Sequence, residues 1–542
     1  MYDAPMVLAP RQELLRLERQ LYRRNKELID NSVLIREPGF RRYETRYRRK
    51  VSRYASIVSQ EEMVDAVRAA DLIYVGDYHT CNQSQRSFLR ILKAVVPTCP
   101  QLLIGMELLH RRSQPLVEAF LAGELAETAF LRKVGLRRRW VFDLWGNFKP
   151  VFDFARYHKI PVVGIDAAPA GASLKARDRA AGRWIAQLIC RYPKHKCFIF
   201  IGDLHLAPQH LPAEVERSLA AIGLKKRPLL LYQNSEAIYW RLAEEGLDHQ
   251  VEVVKLDEQS FCRMHAPPVI CQQSYLNWLE HEEGEIDYAD AKHQFLELVD
   301  RITAFLELTL GPEKEQVEVY TCGDLSFLKV LREDGVFSPH EVKLIRRQIL
   351  ASESYYIAKR RMVYLANLSL NHAAEEAAHF IKHCVAGAEE PRELVDAFYA
   401  NVLHEGLGFF GSKLINPKRK CLHERELNNL RAYFETIRVP TERRLEYETA
   451  RLVMEYKRFE RAGKPLKYQA IFRQRPDIFF AVTHAIGYML GDRLYYGMLE
   501  ERITKEAIRE IFLQPWRREG ETVAVYLQLW KQLRGVKIPK RM

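Results

Sequence analysis

Several features that mark particular classes of protein are absent from this sequence of 542 residues. Its nine cysteines form no CxxC pair and no zinc-finger spacing, so neither a disulfide framework nor a structural zinc site is indicated and reduced thiols are expected. No apolar run reaches the roughly 18 residues that a membrane-spanning helix needs. The first residues lack a basic stretch followed by an apolar one, which is the pattern of a secretory or lipoprotein signal. Together these absences predict a cytoplasmic protein.

The sequence also lacks repeats of fixed period, low-complexity segments and any specific nucleic-acid-binding motif. Aliphatic and aromatic residues make up 47% of the chain and charged residues 28%, which is typical of globular proteins, and the length favours two domains. The net charge of +13 suits an acidic partner but does not select one. A solvated basic face is the simpler interpretation of the two densest clusters, which are Arg36, Arg41, Arg42, Arg46, Arg48, Arg49, Lys50 and Arg53, and Arg137 to Arg139.

Short apolar runs alternate with amphipathic segments in the N-terminal half. Strands that are buried on both faces and separated by helices predict an α/β fold with a largely parallel sheet and flanking helices. The predicted strands are Leu72 to Val75, Leu102 to Ile104, Pro161 to Ile165, Cys197 to Ile201, Leu229 to Tyr232 and Val251 to Leu256.

The composition along the chain predicts two domains and their connections. Residues 1–60 form a charged helical lead-in, 61–260 the α/β domain, 261–288 a linker and 289–542 a mainly α-helical C-terminal domain of unknown role. In the last segment, Ser338 and Glu341 form a capping box around Pro339. This box introduces a predicted helical stretch that continues through Tyr364 to His383.

Four of the predicted strands end in glycine followed shortly by residues that can bind metal or move protons. These ends are Gly76-Asp77-Tyr78-His79, Gly105-Met106-Glu107, Gly164-Ile165-Asp166 and Gly202-Asp203-Leu204-His205. The carboxyl ends of parallel strands lie side by side at one edge of an open sheet, where ligands bind. We therefore expect His79, Glu107, Asp166 and His205 to converge on one cleft.

Two chemistries are open to such a set. His79, Glu107 and His205 can hold a divalent metal ion with open coordination positions. The same three residues with Asp166 can instead act as general acid and base without a metal.

The order of these motifs resembles the ChaN family of haem-binding proteins over roughly residues 65 to 255. Members open with a Gly-acid-x-His strand end and a GME strand, and Gly202 to His205 with Pro212 is similar to their second G-x-x-H element. The residues that extend the similarity are Gln114, Leu121, Gly123, Phe130, Trp145, Pro150, Ala155 and Pro161.

The resemblance implies a haem or related iron-containing ligand, held at the carboxyl edge of the sheet by Gly76 to His79 and by Gly202, Asp203 and His205. Family members ligate haem through tyrosine, for which Tyr78 and Tyr232 are candidates. The aromatic stretch Trp140, Phe142, Trp145 and Phe148 could wall a haem slot, although ordinary core packing explains each of these residues equally well.

The wider superfamily leaves other functions open. It includes TIKI and TraB proteins, proposed as metal-dependent proteases, and erythromycin esterases of the EreA type, so a hydrolase of an ester or peptide bond is the alternative. A non-catalytic scaffold with a basic surface is a further one, and a homodimer is left open. Asp77 and Asp166 stand where the family more often has glutamate and asparagine, and no lipoprotein signal is present.

The helical half contains one more group of polar residues, Glu375, Glu376, His379 and His383, preceded by His372. Glu376 and His379 have the spacing used in carboxylate di-iron bundles, but a second such motif on another helix is not seen. A polar helix face with an ion pair to histidine is the expected arrangement. His484, among glycines and tyrosines, is similarly assigned to close helix packing.

Overall fold

A computed structural model of the chain describes residues 10–32, 38–136, 145–169, 171–282, 288–321, 325–352, 354–365, 369–387, 392–462 and 473–539. Contacts between residues divide the chain into two compact units. The α/β unit consists of residues 21–285, and the helical unit consists of residues 1–20 together with 286–542. Helix α1 (Pro10–Ser32) contains residues of both.

The α/β unit has the alternating element order that the sequence predicts. Its strands are β1 (Ser56–Ile57), β2 (Leu72–Asp77), β3 (Leu102–His110), β4 (Val162–Asp166), β5 (Lys196–Gly202), β6 (Pro228–Gln233), β7 (Val253–Asp257) and β8 (Ser260–Arg263). Its helices after α1 are α2 (Pro38–Lys50), α3 (Gln60–Ala69), α4 (Asn82–Val95), α5 (Gln114–Ala122), α6 (Glu127–Val134), α7 (Trp145–Tyr157), α8 (Leu174–Arg191), α9 (Leu211–Ala220), α10 (Glu236–Glu244) and α11 (Pro268–Glu282).

One eight-stranded sheet organises this unit, in the order β1-β7-β8-β6-β2-β5-β3-β4. The pairs from β8 to β4 are parallel, and only the pairs that involve β7 are antiparallel. The strands read as unbroken apolar runs because helices cover both faces of a parallel sheet. All six residues of β2 and eight of the nine in β3 are buried. The predicted fold class of this half is therefore confirmed.

The structure changes the boundaries predicted for this unit. Much of the predicted linker 261–288 lies in regular structure, since β8 pairs with β6 and β7 and α11 occupies Pro268–Glu282. The end of the predicted lead-in also joins the sheet, because Ser56 and Ile57 of β1 pair with β7. Short strands such as β1 and β8 escaped prediction because two to four residues carry too little periodicity to identify.

The helical unit is built mainly from long helices, as predicted. Its helices after α1 are α12 (Tyr288–Leu306), α13 (Phe327–Glu333), α14 (Pro339–Ser352), α15 (Leu370–Ala386), α16 (Leu394–Ile415), α17 (Glu424–Glu435), α18 (Arg444–Arg461), α19 (Pro476–Leu499), α20 (Lys505–Leu513) and α21 (Glu521–Leu533). Its strands are β9 (Glu318–Thr321), β10 (Ser354–Ile357) and β11 (Met362–Leu365).

The uninterrupted helical stretch predicted from Ser338 through Tyr364 to His383 is wrong. β10 and β11 form an antiparallel hairpin inside it, and β9 joins β11 in parallel. Arg361, with a φ of 50°, supplies the left-handed residue of the turn. The capping box at its start is confirmed, because the Ser338 and Glu341 side chains each accept the other's backbone N–H at 3.2 and 2.8 Å.

No helix in the described ranges combines the length and the apolar character needed to cross a bilayer.

Candidate functional site

The four strands with the glycine-rich ends are four consecutive neighbours in the sheet, β2-β5-β3-β4. Asp77 pairs in register with Gly202, so the segments that carry His79 and His205 leave adjacent strands at the same level. The pairing of β3 with β4 shifts between Met106 and His110, and Glu107 lies in this irregular stretch. Sheet topology thus brings His79, Glu107 and His205 to one edge.

His79 is held by a carboxylate on one ring nitrogen and faces another carboxylate with the other. Its Nδ1 lies 2.7 Å from Oδ2 of the buried Asp77, whose Oδ1 accepts a 2.6 Å bond from Gln85. Its Nε2 lies 3.7 Å from Oε2 of Glu107. Although burial lowers the pKa of His79, the nearby carboxylates of Asp77 and Glu107 outweigh this effect and raise it.

His205 repeats this arrangement from the other side. Its Nδ1 lies 2.5 Å from Oδ1 of the buried Asp178, and its Nε2 lies 3.6 Å from Oε1 of Glu107. The Tyr43 hydroxyl, on α2, donates a 2.7 Å bond to Oδ2 of Asp178. Because each Nδ1 faces a hydrogen-bond-accepting carboxylate, these contacts assign a ring proton to Nδ1 of both histidines and orient both Nε2 atoms towards Glu107.

Glu107 is the anion between the two imidazoles. Arg177 donates a 2.6 Å bond to Oε1, and the Gly202 N–H donates a 2.8 Å bond to Oε2. Burial raises the pKa of Glu107, but His205, His79 and Arg177 outweigh it and lower the pKa to about 2. Glu107 is therefore a permanent negative charge at neutral pH.

Gly76 and Gly202 are positions where the backbone approaches site residues closely. A Cβ added at Gly202 would lie 3.4 Å from both Nε2 of His79 and Oε2 of Glu107. A Cβ at Gly76 would lie only 1.4 Å from Oδ1 of Asp203. Glycine at these strand ends leaves space for the side chains of the site.

A small open pocket of about 220 Å³ lies beside Glu107. Asp166, Arg177, Asp178 and His205 contribute to its lining. The structure thus places Asp166 in one pocket with Glu107 and His205, whereas His79 does not line this pocket.

Three other predicted ligand-binding residues point into packed surroundings. Asp203 is bonded by the Tyr47 hydroxyl, and burial raises its pKa to about 7. Tyr78 packs against the buried pair Cys81 and Cys271. The fully buried Tyr232 donates a 2.7 Å bond to the Leu206 carbonyl. The Tyr232 hydroxyl is therefore engaged inside the protein, whereas Tyr78 is only partly buried.

The predicted aromatic wall of a haem slot is not found among the described residues. Trp145 and Phe148 are 5% and 1% exposed and belong to the core beneath the sheet. Trp145 packs against Phe120 and Phe152, with ring centroids 5.7 and 4.9 Å apart. Trp140 and Phe142 lie outside the described residues, as do Arg36 and the cluster Arg137 to Arg139.

The polar group on α15 is an ion-pair network. Glu376 accepts a 2.7 Å bond from Ser354 and lies 3.2 Å from Nδ1 of His379. Glu375 accepts a 2.7 Å bond from the Arg419 guanidinium, and the Tyr488 hydroxyl donates to its other oxygen. His484 lies 2.8 Å from Glu405.

Within the described ranges, two groups of three side chains have donor atoms that all lie within 4.8 Å of one another, and both belong to the helical unit. His79, Glu107 and His205 are more widely spaced than this. Donors of one metal ion at roughly 2 Å per bond cannot be further than about 4 Å apart. All three could bind a single ion only after a shift of side chains.

Sequence reasoning missed Arg177, Asp178 and Tyr43. Arg177 and Asp178 come to Glu107 and His205 from the face of α8, and Tyr43 comes from α2. In the sequence they resemble ordinary charged and aromatic helix residues, and no motif distinguishes them.

The comparisons with known proteins concern this same half. Residues 63–182 match the family model described as haem-binding uptake, Tiki superfamily, ChaN. A solved structure described as cofacial haem binding to ChaN of Campylobacter jejuni is 12% identical with a TM-score of 0.27, and the similarity covers 33% of this chain and 86% of that one. No curated protein matches the chain. On the family match, residues 63–182 of the chain are similar to the ChaN family.

Proposed function

We propose that the α/β unit binds haem or a related iron-containing ligand at the carboxyl edge of its sheet, with His79 and His205 as candidate donors to the iron. One observation carries the proposal. Both imidazoles are held through Nδ1 by buried carboxylates, at 2.7 Å for Asp77 and 2.5 Å for Asp178, and both turn Nε2 towards Glu107. A carboxylate on Nδ1 fixes the tautomer and makes Nε2 a stronger donor.

The donor chemistry fits an iron-containing ligand, since imidazole is an axial ligand in many haem proteins. The pocket does not fit an enclosed macrocycle. Even with the solvent space at its mouth counted, its volume of about 220 Å³ is below the roughly 300 Å³ at which small-molecule pockets begin, and five of its eight lining residues are polar or charged. His205 lines this pocket and would offer its Nε2 to the iron of such a ligand there.

The remaining residues of the site have supporting roles in this proposal. Bound iron would supply a Lewis-acidic, redox-active centre. Glu107 supplies negative charge near that centre, and Arg177 holds Glu107 in place through the 2.6 Å bond to Oε1. Asp166 and Arg177 line the pocket, where they can meet polar groups of the ligand.

Titration of the purified full chain with hemin tests the proposal. We expect a saturable Soret shift in the wild type and a loss of affinity of at least about tenfold in His205→Ala and His79→Ala. His158→Ala, at an exposed position after α7, is the matched control and should bind like the wild type.

Absence of a saturable shift in the folded wild-type protein would reject haem binding. If that protein hydrolysed an ester or peptide and lost this activity in His79→Ala and His205→Ala, a hydrolase would replace the proposed function.

A further inference from the structure

Three potential metal donors meet in the helical unit, away from the site described above. Cys421 and His423 lie in the segment between α16 and α17, and Asp492 lies on α19. The Cys421 sulfur is 3.5 Å from Nε2 of His423 and 3.9 Å from Oδ2 of Asp492. Nε2 of His423 and Oδ2 of Asp492 are 2.8 Å apart.

These spacings are close to those of ligands on one tetrahedral ion. Zinc bonds of roughly 2.3 Å to sulfur, 2.0–2.1 Å to nitrogen and 2.0–2.2 Å to oxygen place sulfur about 3.5 Å from either partner, and nitrogen about 3.4 Å from oxygen. The sulfur-to-nitrogen distance agrees with this geometry, and the other two differ from it by about half an ångström. Small side-chain shifts would bring all three donors onto one ion.

The surroundings favour an anionic donor at Asp492. Its oxygen Oδ1 lies 2.8 Å from the ammonium of the buried Lys413, and its oxygen Oδ2 faces Cys421 and His423. A charged group that binds the far oxygen of a metal-ligating carboxylate fixes its orientation.

The cluster is enclosed but reachable from solvent. Cys421 is 6% exposed and the Asp492 side chain 3%, whereas the His423 side chain is 23% exposed. An ion can therefore enter beside the imidazole. Sulfur, nitrogen and oxygen donors in tetrahedral array are a set that zinc accepts, with water in the fourth position.

We propose that Cys421, His423 and Asp492 form a zinc site that ties the segment before α17 to α19. On binding, the ion replaces the proton of the Cys421 thiol, which passes to solvent. The ring proton of His423 moves from Nε2 to Nδ1, so the imidazole gives up the capping bond that it accepts from the Glu426 backbone. The hydrogen bond between His423 and Asp492 is replaced by bonds from both to the metal.

Cobalt titration of the metal-stripped full chain tests this site, because a thiolate bound to Co²⁺ gives a charge-transfer band that nitrogen and oxygen ligands do not. We expect this band to saturate at one ion per chain and to vanish when zinc is added. Cys421→Ser should abolish it. The control Cys384→Ser changes a cysteine of α15, in the same unit, and should leave it unchanged.

A second variant keeps the test decisive if Cys421→Ser does not fold. His423→Ala, at the most exposed of the three positions, should weaken cobalt binding at least about tenfold. The proposal is overturned if the folded wild type gives no charge-transfer band, if the band survives in Cys421→Ser, or if the folded His423→Ala variant binds cobalt as tightly as the wild type. Each of these outcomes would mean that the three residues form a structural hydrogen-bond cluster, with the bond of His423 to Asp492, and bind no metal.

Discussion

At the scale of single residues, the candidate site is a set of paired charges. Glu107 stays ionised because two imidazoles and a guanidinium surround it, and each imidazole is in turn held by a buried aspartate. The two aspartates fix the orientation of the imidazole rings, because each binds Nδ1 and so directs Nε2 towards Glu107. Removing one of these charges should therefore affect the orientation of the imidazoles and the affinity for hemin more than it affects the stability of the fold.

Asp178→Asn tests the orienting role. The amide can no longer hold His205 through a charge-assisted bond, so we expect hemin affinity to fall about 10- to 100-fold. The Tyr43 hydroxyl can still donate to the amide oxygen, which should keep the variant folded. Soret titration measures the change, and Asp153→Asn, on the surface of α7, is the control. Unchanged affinity in Asp178→Asn would show that His205 does not depend on this bond.

The buried Glu375 should make the stability of the helical unit depend on pH. Burial raises its pKa, but Arg419, together with His484 and His379, outweighs burial and lowers it to about 2, from an ordinary 4.5. A carboxyl with a lowered folded-state pKa stabilises the protein above its unfolded pKa and loses this contribution as the pH falls. The contribution is about 3 kcal/mol at neutral pH and is lost between roughly pH 4.5 and 2.

Urea unfolding at several pH values measures this contribution. Glu375→Gln should lower the free energy of unfolding at pH 7, and its difference from the wild type should shrink steadily below pH 4.5. The exposed Glu333→Gln should show no such convergence. A difference that stays constant with pH would mean that the ion pair with Arg419 is not the cause.

The sequence predicts only those site residues whose positions follow from strand ends. His79, Glu107 and His205 each follow a buried strand, and parallel strands bring such ends together. Asp178 and Arg177 depend on how α8 packs against the sheet, which no local pattern encodes. The zinc-site candidates were missed for the same reason, because Asp492 is 71 residues from Cys421 in sequence.

At the scale of elements, the edge formed by β2 and β5 depends on close packing of backbone against side chain. The Asp203 carboxylate occupies the space that a side chain at Gly76 would need. The strands themselves were predictable because long apolar runs allow few alternatives. The hairpin of β10 and β11 was not, since its tyrosines and aliphatic residues also fit helical spacing.

Gly76→Ala should destabilise the α/β unit. The added methyl group would overlap Oδ1 of Asp203 and force β2 or Asp203 to move, at a cost of about 1–3 kcal/mol or more. Gly146→Ala is the control, because nothing lies within 4 Å of the new methyl group on α7. Thermal unfolding compares the two. Equal midpoints for both variants would contradict the close approach at Gly76.

At the scale of the whole molecule, two compact units carry two different proposed ligands. The contacts divide the chain so that the histidine site lies in the α/β unit and the proposed zinc site in the helical unit. A ligand that binds only the folded state stabilises it by mass action. The two ligands should therefore protect different parts of the chain.

Amide hydrogen exchange can separate these effects. At a hundredfold excess over its Kd, hemin should slow exchange about 100-fold in β2 and β5, wherever exchange requires unfolding of that unit. Zinc should slow exchange in α17 and α19 instead. Protection of α17 and α19 by hemin would contradict the assignment of the two sites to separate units.

Histidine nitrogen, from His79 or His205, is the ligand proposed for the iron. Electron–nuclear double resonance on the ferric hemin complex of the full chain, grown with isotope-labelled histidine, detects such a ligand. We predict a strong coupling of the iron to labelled nitrogen that is lost in the double variant His79→Ala/His205→Ala. A hemin complex without this coupling, or one whose coupling persists in the double variant, would show that neither His79 nor His205 binds the iron.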